Sequence, residues 1–256
     1  MDVAKHNQAA WDGYVDQKNR WTMPVSGEIL ARARKGDWQI VLTPSRPVPH
    51  HWFPKLKGCR VLGLAAGGGQ QGPVLAALGA DVTILDNSEK QLLQDRQVCK
   101  EFGLRINTLQ GDMRDLSRFD PGSFDLVFNP CSVVFVDNVR KVWQECYRVL
   151  HHGGVLMAGL INPLAFQLEK REDGFFLKYK QPYSDLHSLP EEKRRELISA
   201  GEALEFGHSL SDQIGGQLQA GFLLSDMYED HWHEPRPIDA FMPSFIATRA
   251  VKPTNF

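Results

Sequence analysis

A glycine-rich turn between an apolar run and a helical pattern constrains the fold of this chain more than any other segment. The run Val-Leu-Gly-Leu at 61–64 leads into Ala-Ala-Gly-Gly-Gly-Gln-Gln-Gly at 65–72. Small residues there allow the backbone to approach a ligand, and the amides and dipole of the following helix favour anionic groups. This order of elements predicts a ligand-binding α/β sheet, although a tight connection without a ligand also fits the segment.

Short apolar runs alternate with amphipathic stretches through the middle of the chain. Strand patterns occupy residues 60–65, 81–85, 106–109, 124–128 and 155–161. Helical patterns, with apolar residues three and four positions apart, occupy residues 71–78, 88–102 and 138–150. This alternation predicts a parallel sheet covered by helices, with Ser88 and Asn138 as N-terminal caps of two of them.

Two regions fall outside this alternation. Residues 1–55 carry scattered tryptophans and prolines, and we predict an N-terminal helical cap segment there. Residues 56–256 form the main domain, with a substrate-side insertion at about 162–211. The insertion includes a predicted helix at 190–200, which begins at a proline and has acidic residues in its first turn. Both additions are expected to pack over one end of the sheet.

Composition and charge exclude several classes of protein. Lys and Arg number 29 against 31 Asp and Glu, a net charge of −2, so no positive field is present to attract nucleic acid. The four cysteines form no C-x-x-C pair, which argues against a zinc knuckle or a disulfide framework. No apolar run approaches the roughly 18 residues of a membrane span, and the N-terminus lacks a signal-peptide pattern. We therefore expect a cytoplasmic protein with no nucleic-acid or membrane partner.

Two carboxylates follow neighbouring strands of the predicted sheet. Asp86 ends the second strand pattern about twenty residues after Gly67, where nucleotide-binding folds place an acid for ribose hydroxyls. Asp112 follows the third strand pattern, and the carboxyl ends of neighbouring parallel strands lie side by side. We expect both acids to meet the same ligand. Because residues 67–72 also fit G-x-G-x-x-G, a nicotinamide or flavin dinucleotide is an alternative ligand here.

The order of these motifs resembles that of class I S-adenosylmethionine-dependent methyltransferases, and of the type 11 methyltransferase group in particular. The resemblance covers about residues 55–161 and includes Gly-Asp-Met at 111–113, Phe-Asp-Leu-Val at 124–127 and Tyr-Arg-Val-Leu-His-His-Gly-Gly at 147–154. It implies an α/β fold with a Rossmann-like, seven-stranded, mostly parallel sheet in the order 3-2-1-4-5-7-6 and helices on both faces. The last strand is then antiparallel, in a closing hairpin built from strand patterns at 222–228 and 243–250.

The resemblance also implies how S-adenosylmethionine is held. The family's first motif, carried over to this chain, places Ala65, Gly67 and Gly69 beneath the methionine half of the cofactor. Asp86 then holds the ribose hydroxyls. Asn87 lies along the edge formed by the adenine and the ribose.

Three further positions complete this expected cofactor site. Asp112 accepts a hydrogen bond from the adenine amino group, Met113 stacks on the base, and Asn129 lines the methyl-transfer face. The chain departs from the family at Gly63, where an acid is usual, and at Ala65, where the first glycine of the motif is usual. Alanine is small enough to keep the turn close to a ligand, so cofactor binding is still expected.

The acceptor pocket is expected to form from the two additions to the sheet. The candidate lining residues are Trp11, Tyr14 and Trp21 in the N-terminal segment, Asn129 after the fourth strand and Tyr183 in the insertion. Aromatic residues in such segments equally suit the burial that anchors a helix to a core. If they line the pocket, the acceptor is a small apolar or aromatic molecule.

Methyl transfer from a sulfonium requires no covalent intermediate, and a general base helps only when the acceptor carries a proton. The histidine candidates for such a base are His6, His187 and His208, and the sequence does not select among them. His231 and His233 lie two residues apart and would point to opposite faces of an extended segment, so no metal site is expected.

These patterns predict a methyltransferase that transfers the methyl group by direct in-line displacement to an unidentified small-molecule acceptor and releases S-adenosylhomocysteine. An NAD(P)-dependent oxidoreductase is the first alternative, although Tyr147, Tyr179 and Tyr183 lack the lysine four residues later that such enzymes often use. The second alternative is a module that binds S-adenosylmethionine without turnover. We expect a monomer or a homodimer.

Overall fold

Strands form one large sheet and two small ones in the computed structural model, which describes residues 1–172, 174–234 and 236–254. In chain order the strands are β1 (Arg60–Leu64), β2 (Asp81–Asp86), β3 (Asn107–Gln110), β4 (Phe124–Asn129), β5 (Leu150–Ile161), β6 (Leu168–Arg171), β7 (Gly174–Leu177), β8 (Tyr183–Ser184), β9 (Phe206–Gly207), β10 (Leu223–Asp230) and β11 (Phe245–Val251). The large sheet has the order β3-β2-β1-β4-β5-β11-β10, while β6 pairs with β7 and β8 with β9.

The predicted fold class and strand order are confirmed. Strands β1 to β5 are parallel, and β11 runs antiparallel between β5 and β10. The last two strands are numbered ten and eleven here because the insertion contributes four short strands of its own. In the antiparallel register Phe245 pairs with Ile161, so the start of β11 lies at the same edge as the carboxyl end of β5.

Helices cover both faces of the large sheet. They are α1 (Val3–Asp16), α2 (Gly27–Arg34), α3 (Gln71–Ala77), α4 (Glu89–Phe102), α5 (Val139–Val149), α6 (Asp185–Ser188), α7 (Glu191–Ser199) and α8 (Leu210–Ala220). Residues of α2, α3 and α4 pack in one core layer and residues of α5 in the other, where α8 packs beside α5. None of the helices in the described part of the chain combines the length and apolar character that crossing a bilayer requires.

Local capping signals mark several helix ends. Ser88 and Asn138 cap α4 and α5 as predicted, because their side chains accept hydrogen bonds from the backbone N–H groups of Gln91 and Lys141. Helix α8 was not predicted, although Ser209 caps its start and Gly221 ends it with φ +107°. Two glycines interrupt the apolar pattern of this segment, so its periodicity did not indicate a helix. The capping residues at its two ends did indicate one.

The N-terminal 55 residues divide into two parts. Helix α1 lies against the carboxyl edge of the sheet, where it contacts α4. From α2 onward the segment supplies fully buried core residues, among them Leu30, Leu42 and Trp52, which share a cluster with Val61 of β1. Helix α1 and the chain near it therefore act as a cover, while residues from about 27 to 55 supply much of this core cluster.

The turn after β1 has left-handed backbone angles at three positions. Ala65 has φ +48°, Gly68 has φ +104° and Gly69 has φ +69°. Residues other than glycine rarely adopt such angles. Ala65 therefore has a backbone conformation that suits the glycine usual at this position in the family. A Cβ at Gly63 would lie 2.4 Å from the Ile84 side chain, so β1 has no room for an acid at that position.

A carboxylate from α4 contacts this turn instead. The Gly68 N–H donates to Asp95 Oδ2 at 3.0 Å, and Asp95 is fully buried with its Oδ1 lacking a hydrogen-bond partner in the described structure. Burial, together with the nearby charge of Asp86, raises the pKa of Asp95 to about 8. The turn is therefore held by a carboxyl group that is largely protonated at neutral pH.

Replacement of Asp95 by asparagine should stabilise the protein relative to wild type as the pH rises. The raised pKa means that the stability contributed by Asp95 is complete below its unfolded pKa of about 3.9 and is lost as the pH approaches 8. We expect Asp95→Asn to gain at least about 1.4 kcal/mol over wild type between pH 4.5 and 7.5, the equivalent of one pKa unit. The free energies of unfolding of the variant and of wild type, measured with denaturant at both pH values, test this prediction, with the exposed Glu101→Gln as control. A stability difference that does not change with pH would contradict it.

Glycine 159 permits a second close approach, because residues 41–44 cross β5 at this position. A Cβ on Gly159 would lie 2.1 Å from the Leu42 carbonyl oxygen and 2.8 Å from the Cys131 nitrogen. We expect Gly159→Ala to lower the free energy of unfolding by about 2 kcal/mol or more. Gly215→Ala is the matched control, since nothing lies within 4 Å of its Cβ position; there we expect a gain of about 0.5–1 kcal/mol in urea unfolding. Equal changes in the free energy of unfolding for the two variants would contradict this close approach at Gly159.

Candidate functional site

A cavity of about 290 Å³ lies at the carboxyl edge of the sheet. Chain segments that follow five parallel strands line it, because the carboxyl ends of such strands meet at one edge. The lining residues from this edge include Ala65 to Gly67 after β1, Asp86 and Asn87 at the end of β2, Gly111 to Arg114 after β3, Pro130 to Ser132 after β4, and Ile161 of β5. The volume lies just below the roughly 300 Å³ at which the usual range for small-molecule sites begins.

Most of the predicted cofactor residues lie together in this wall, namely Ala65, Gly67, Asp86, Asn87, Asp112 and Met113. Gly69 and Asn129 lie outside it. The Gly69 carbonyl accepts from the Val25 N–H at 2.9 Å, so this glycine faces the segment before α2. Asn129 is fully buried and donates to the Leu64 carbonyl and to Ser132 Oγ, both at 2.7 Å. Asn129 therefore supports the segment after β4 through these hydrogen bonds and does not line the cavity.

Asp86 and Gly67 lie next to each other in the part of the cavity wall that the glycine turn forms. Asp86 Oδ2 accepts from the Gly67 N–H and Oδ1 from the Ser88 N–H, both at 2.9 Å. Burial raises the pKa of Asp86 to about 6, and the backbone hydrogen bonds oppose that rise. A Cβ on Gly67 would lie 2.9 Å from Asp86 Oδ2 and from Gln91 Cβ, so a side chain there would enter the space beside the carboxylate.

Asp112 is held by a cation two residues later. Arg114 donates to both Asp112 oxygens, from Nε at 3.0 and 3.1 Å, and its backbone N–H donates to Oδ1 at 2.8 Å. Burial raises the pKa of Asp112, but the hydrogen bonds and charge of Arg114 outweigh it and hold the pKa below its usual range. Arg114 also pairs with Asp137, so its charge is shared between two carboxylates.

Helix α1 covers the cavity and is anchored at both of its sides. On the β2 side, Asn87 Nδ2 donates to the Ala4 carbonyl at 2.7 Å, and Ser88 Oγ donates to Asp12 Oδ1 at 2.6 Å. On the insertion side, Asn7 Nδ2 donates to the Leu204 carbonyl at 3.0 Å, and the Leu204 N–H donates back to Asn7 Oδ1 at 2.8 Å. The helix therefore connects the predicted cofactor edge to the insertion.

The predicted acceptor-pocket residues separate into two groups. Trp11 and Trp21 line the cavity, with Trp11 edge-on to Phe135 at 5.1 Å between ring centroids. Tyr14 and Tyr183 lie outside the wall, because their hydroxyls donate to Glu202 and Asp185 at 2.5 and 2.6 Å. The described part of the insertion reaches the cavity through Glu205.

The candidate general bases among the histidines lie away from the cavity wall. His208 is buried, and its Nε2 is within hydrogen-bond distance of the Val133 and Val136 carbonyls. His6 Nε2 lies 2.8 Å from the Glu202 carbonyl, and His187 is exposed. Cys131 does line the cavity, but burial raises its thiol pKa to about 12, so it is neutral at physiological pH.

Several lining residues were not predicted from the sequence. Asn7, Val41 to Pro44, Arg114, Glu205, Trp232 and Phe245 come from loops, a cap helix and an antiparallel strand. Trp232 lies between the two histidines considered for a metal, His231 and His233. Its ring packs against that of Trp21, with 6.2 Å between the ring centroids. None of these positions belongs to a motif with fixed spacing, and an isolated acid or tryptophan carries no local signal of a pocket.

Sequence comparison places the chain among methyltransferases. A family model described as a methyltransferase domain matches residues 62–158. The uncharacterised methyltransferase YbaJ of Bacillus subtilis is 50% identical over 253 residues, which is 98% of each chain. A ubiquinone biosynthesis O-methyltransferase of Xanthomonas euvesicatoria is 32% identical over 116 residues, covering 44% of this chain and 48% of the relative.

Solved structures share the fold at low sequence identity. An S-adenosylmethionine-dependent methyltransferase from Mesorhizobium loti aligns with a TM-score of 0.61 at 18% identity, covering 78% of this chain and 94% of the other. A structure from Listeria monocytogenes aligns with the same TM-score and identity, covering 80% and 94%. These structures show the shared fold, and the near-complete relative together with the family match establishes that the chain belongs to the methyltransferases.

Proposed function

We propose that this protein transfers a methyl group from S-adenosylmethionine to a small molecule bound in the same cavity. One observation carries the proposal: the glycine turn, Asp86 and Asp112 share a single cavity with the aromatic cap residues Trp11 and Trp21. Donor and acceptor bound in one enclosed space can be aligned for direct displacement without a covalent intermediate. The four widely spaced cysteines support a cytoplasmic location, and a monomer or homodimer stays a prediction.

The turn side of the cavity suits the cofactor. The absence of a side chain at Gly67 leaves the space beside Asp86 open, and Asp86 can accept from ribose hydroxyls. Asn87, Met113, Ala65 and Gly67 line the same cavity. By the family resemblance, the first two would border the adenine and the last two would lie under the methionine half of the cofactor. When bound, S-adenosylmethionine supplies an activated methyl group, so the residues of this chain need only hold, orient and enclose the reactants.

Oxygen is the acceptor atom that the relatives favour. Ubiquinone biosynthesis O-methyltransferases match about 44% of this chain, including the one from Xanthomonas euvesicatoria. The N-terminal segment, Ile161 of β5, Glu205 of the insertion, and Trp232 and Phe245 near the C-terminus contribute the rest of the cavity, so the identity of the acceptor depends on parts outside the family model at 62–158.

The oxidoreductase alternative finds little support at the cavity. Tyr14 and Lys18 have the Tyr-x-x-x-Lys spacing, but Tyr14 donates to Glu202 and neither residue lines the cavity. The non-catalytic alternative predicts cofactor binding without an acceptor, whereas this cavity extends from Asp86 to the aromatic residues Trp11 and Trp232.

Calorimetric titration distinguishes the cofactor classes. We expect S-adenosylhomocysteine to bind the purified protein with micromolar affinity, about −8 kcal/mol. We expect no binding of NADH or NADPH in parallel titrations, because the resemblance assigns the turn and Asp86 to the methionine and ribose of the methyl donor. Binding of a nicotinamide cofactor in place of S-adenosylhomocysteine would overturn the proposed function.

Two substitutions test the placement of the cofactor. Asp86→Ala removes the proposed ribose acceptor, and Gly67→Val places a branched side chain 2.9 Å or less from the Asp86 carboxylate position. Each should weaken S-adenosylhomocysteine binding more than tenfold, or about 1.4 kcal/mol. Asp81→Ala, at the exposed start of the same strand, is the control and should bind normally. Unchanged affinity in both folded variants would show that the cofactor binds elsewhere.

A further inference from the structure

Glu205 connects the insertion to the cavity. Among the described residues of 162–211 it is the one that lines the cavity wall. It directly follows Leu204, whose backbone exchanges two hydrogen bonds with Asn7 of α1. The residue therefore stands where the insertion and the N-terminal cap meet over the site.

The backbone on both sides of this glutamate is fixed. The Glu205 N–H donates to Asp185 Oδ2 at 2.7 Å, and the Asp185 N–H donates to the Glu205 carbonyl at 3.1 Å. Asp185 is itself held by the Tyr183 hydroxyl, which donates to Oδ1 at 2.6 Å. Tyr183 and Asp185 therefore position the Glu205 backbone without lining the cavity themselves. The Glu205 side chain takes no part in these hydrogen bonds and stays available to a ligand.

The Glu205 carboxylate has no hydrogen bond or ion pair within the described residues. Arg114, the cation in the cavity wall, is already paired with Asp112 and Asp137. The groups that face Glu205 from the neighbouring elements are two acids and two phenols, Asp185 and Glu202 with Tyr14 and Tyr183. Burial, and then repulsion from Asp185 and Glu202, raises the pKa of Glu205 to about 7.

The cavity that this carboxylate lines has apolar side chains over much of its wall. They include Trp11, Val134, Phe135, Val136, Trp232 and Phe245. An unpartnered carboxylate among such groups is costly unless a ligand donates a hydrogen bond to it. A molecule with a flat apolar body and one hydroxyl group matches both features of this end of the cavity.

We propose that Glu205 is the proton acceptor for methyl transfer and selects a hydroxylated aromatic molecule as the methyl acceptor, which rests on the proposed function. The acceptor oxygen forms its bond to the methyl carbon, and the carbon–sulfur bond breaks with its electron pair on sulfur. The hydroxyl proton moves to a Glu205 carboxylate oxygen. A neutral hydroxyl is favoured over an ammonium group because the donor sulfonium is itself a cation, which repels a second positive charge.

The test uses phenol and its blocked counterpart anisole as probes. In calorimetric titrations of protein saturated with S-adenosylhomocysteine at pH 8, phenol should bind about tenfold more tightly than anisole, the effect of a hydrogen bond to a charged group. Because the ionised form of Glu205 accepts this bond, the preference should decline as the pH falls from 8 to 5.5, below the raised pKa. Glu205→Gln should reduce the preference to less than about threefold at every pH.

The control is Glu202→Gln, which removes a neighbouring carboxylate that contacts Tyr14 and does not line the cavity. It should retain a preference for phenol at pH 8. Both variants should bind S-adenosylhomocysteine as wild type does, which shows that they fold. Equal binding of phenol and anisole, absence of phenol binding, or an unchanged preference in Glu205→Gln would overturn this inference. Failure of wild type to bind S-adenosylhomocysteine would overturn the proposed function as well.

Discussion

The left-handed turn after β1 is the constraint on which the rest of the site depends. Carboxyl groups from two other elements hold it: Asp86 of β2 accepts from the Gly67 N–H, and Asp95 of α4 accepts from the Gly68 N–H. These bonds align the carboxyl ends of β1 and β2 and direct the chain into α3. A side chain at Gly67 would occupy the space next to Asp86, so the same small residues that permit the turn also keep the cavity open.

Closure of the cavity depends on long-range polar contacts made by α1. Asn7 is buried, and its side chain makes reciprocal hydrogen bonds with Leu204 in the insertion. At the other side, Asn87 and Ser88 donate to the backbone and to Asp12 of α1. The helix thus joins the cofactor edge to the insertion that carries Glu205. Such buried, satisfied amide contacts specify one docking position, since leaving them unpaired would cost free energy.

The family's motif is altered in a way that the structure explains. A side chain at Gly63 would collide with Ile84, which fills the space where the family has an acid. A carboxylate nevertheless reaches the glycine turn, from Asp95 on α4, a helix face that shows no motif in the sequence. Ala65 adopts the left-handed angle usual for glycine, with φ +48°. The carboxyl group next to the turn therefore comes from α4 and not from β1.

The family resemblance, and not any local pattern, predicted the strand order. Local chemistry in the sequence determined the parallel sheet, the caps at Ser88 and Asn138, and the grouping of Asp86 and Asp112 near the glycine turn. Those features follow from periodicity, capping and the geometry of neighbouring parallel strands, which act over short stretches of chain. Only the tertiary structure decided that Asn7, Glu205 and Trp232 meet at one cavity while Tyr14, Asn129 and Tyr183 lie outside it. The physical reason is that these contacts join segments far apart in the chain, and each depends on how α1 and the insertion dock against the sheet.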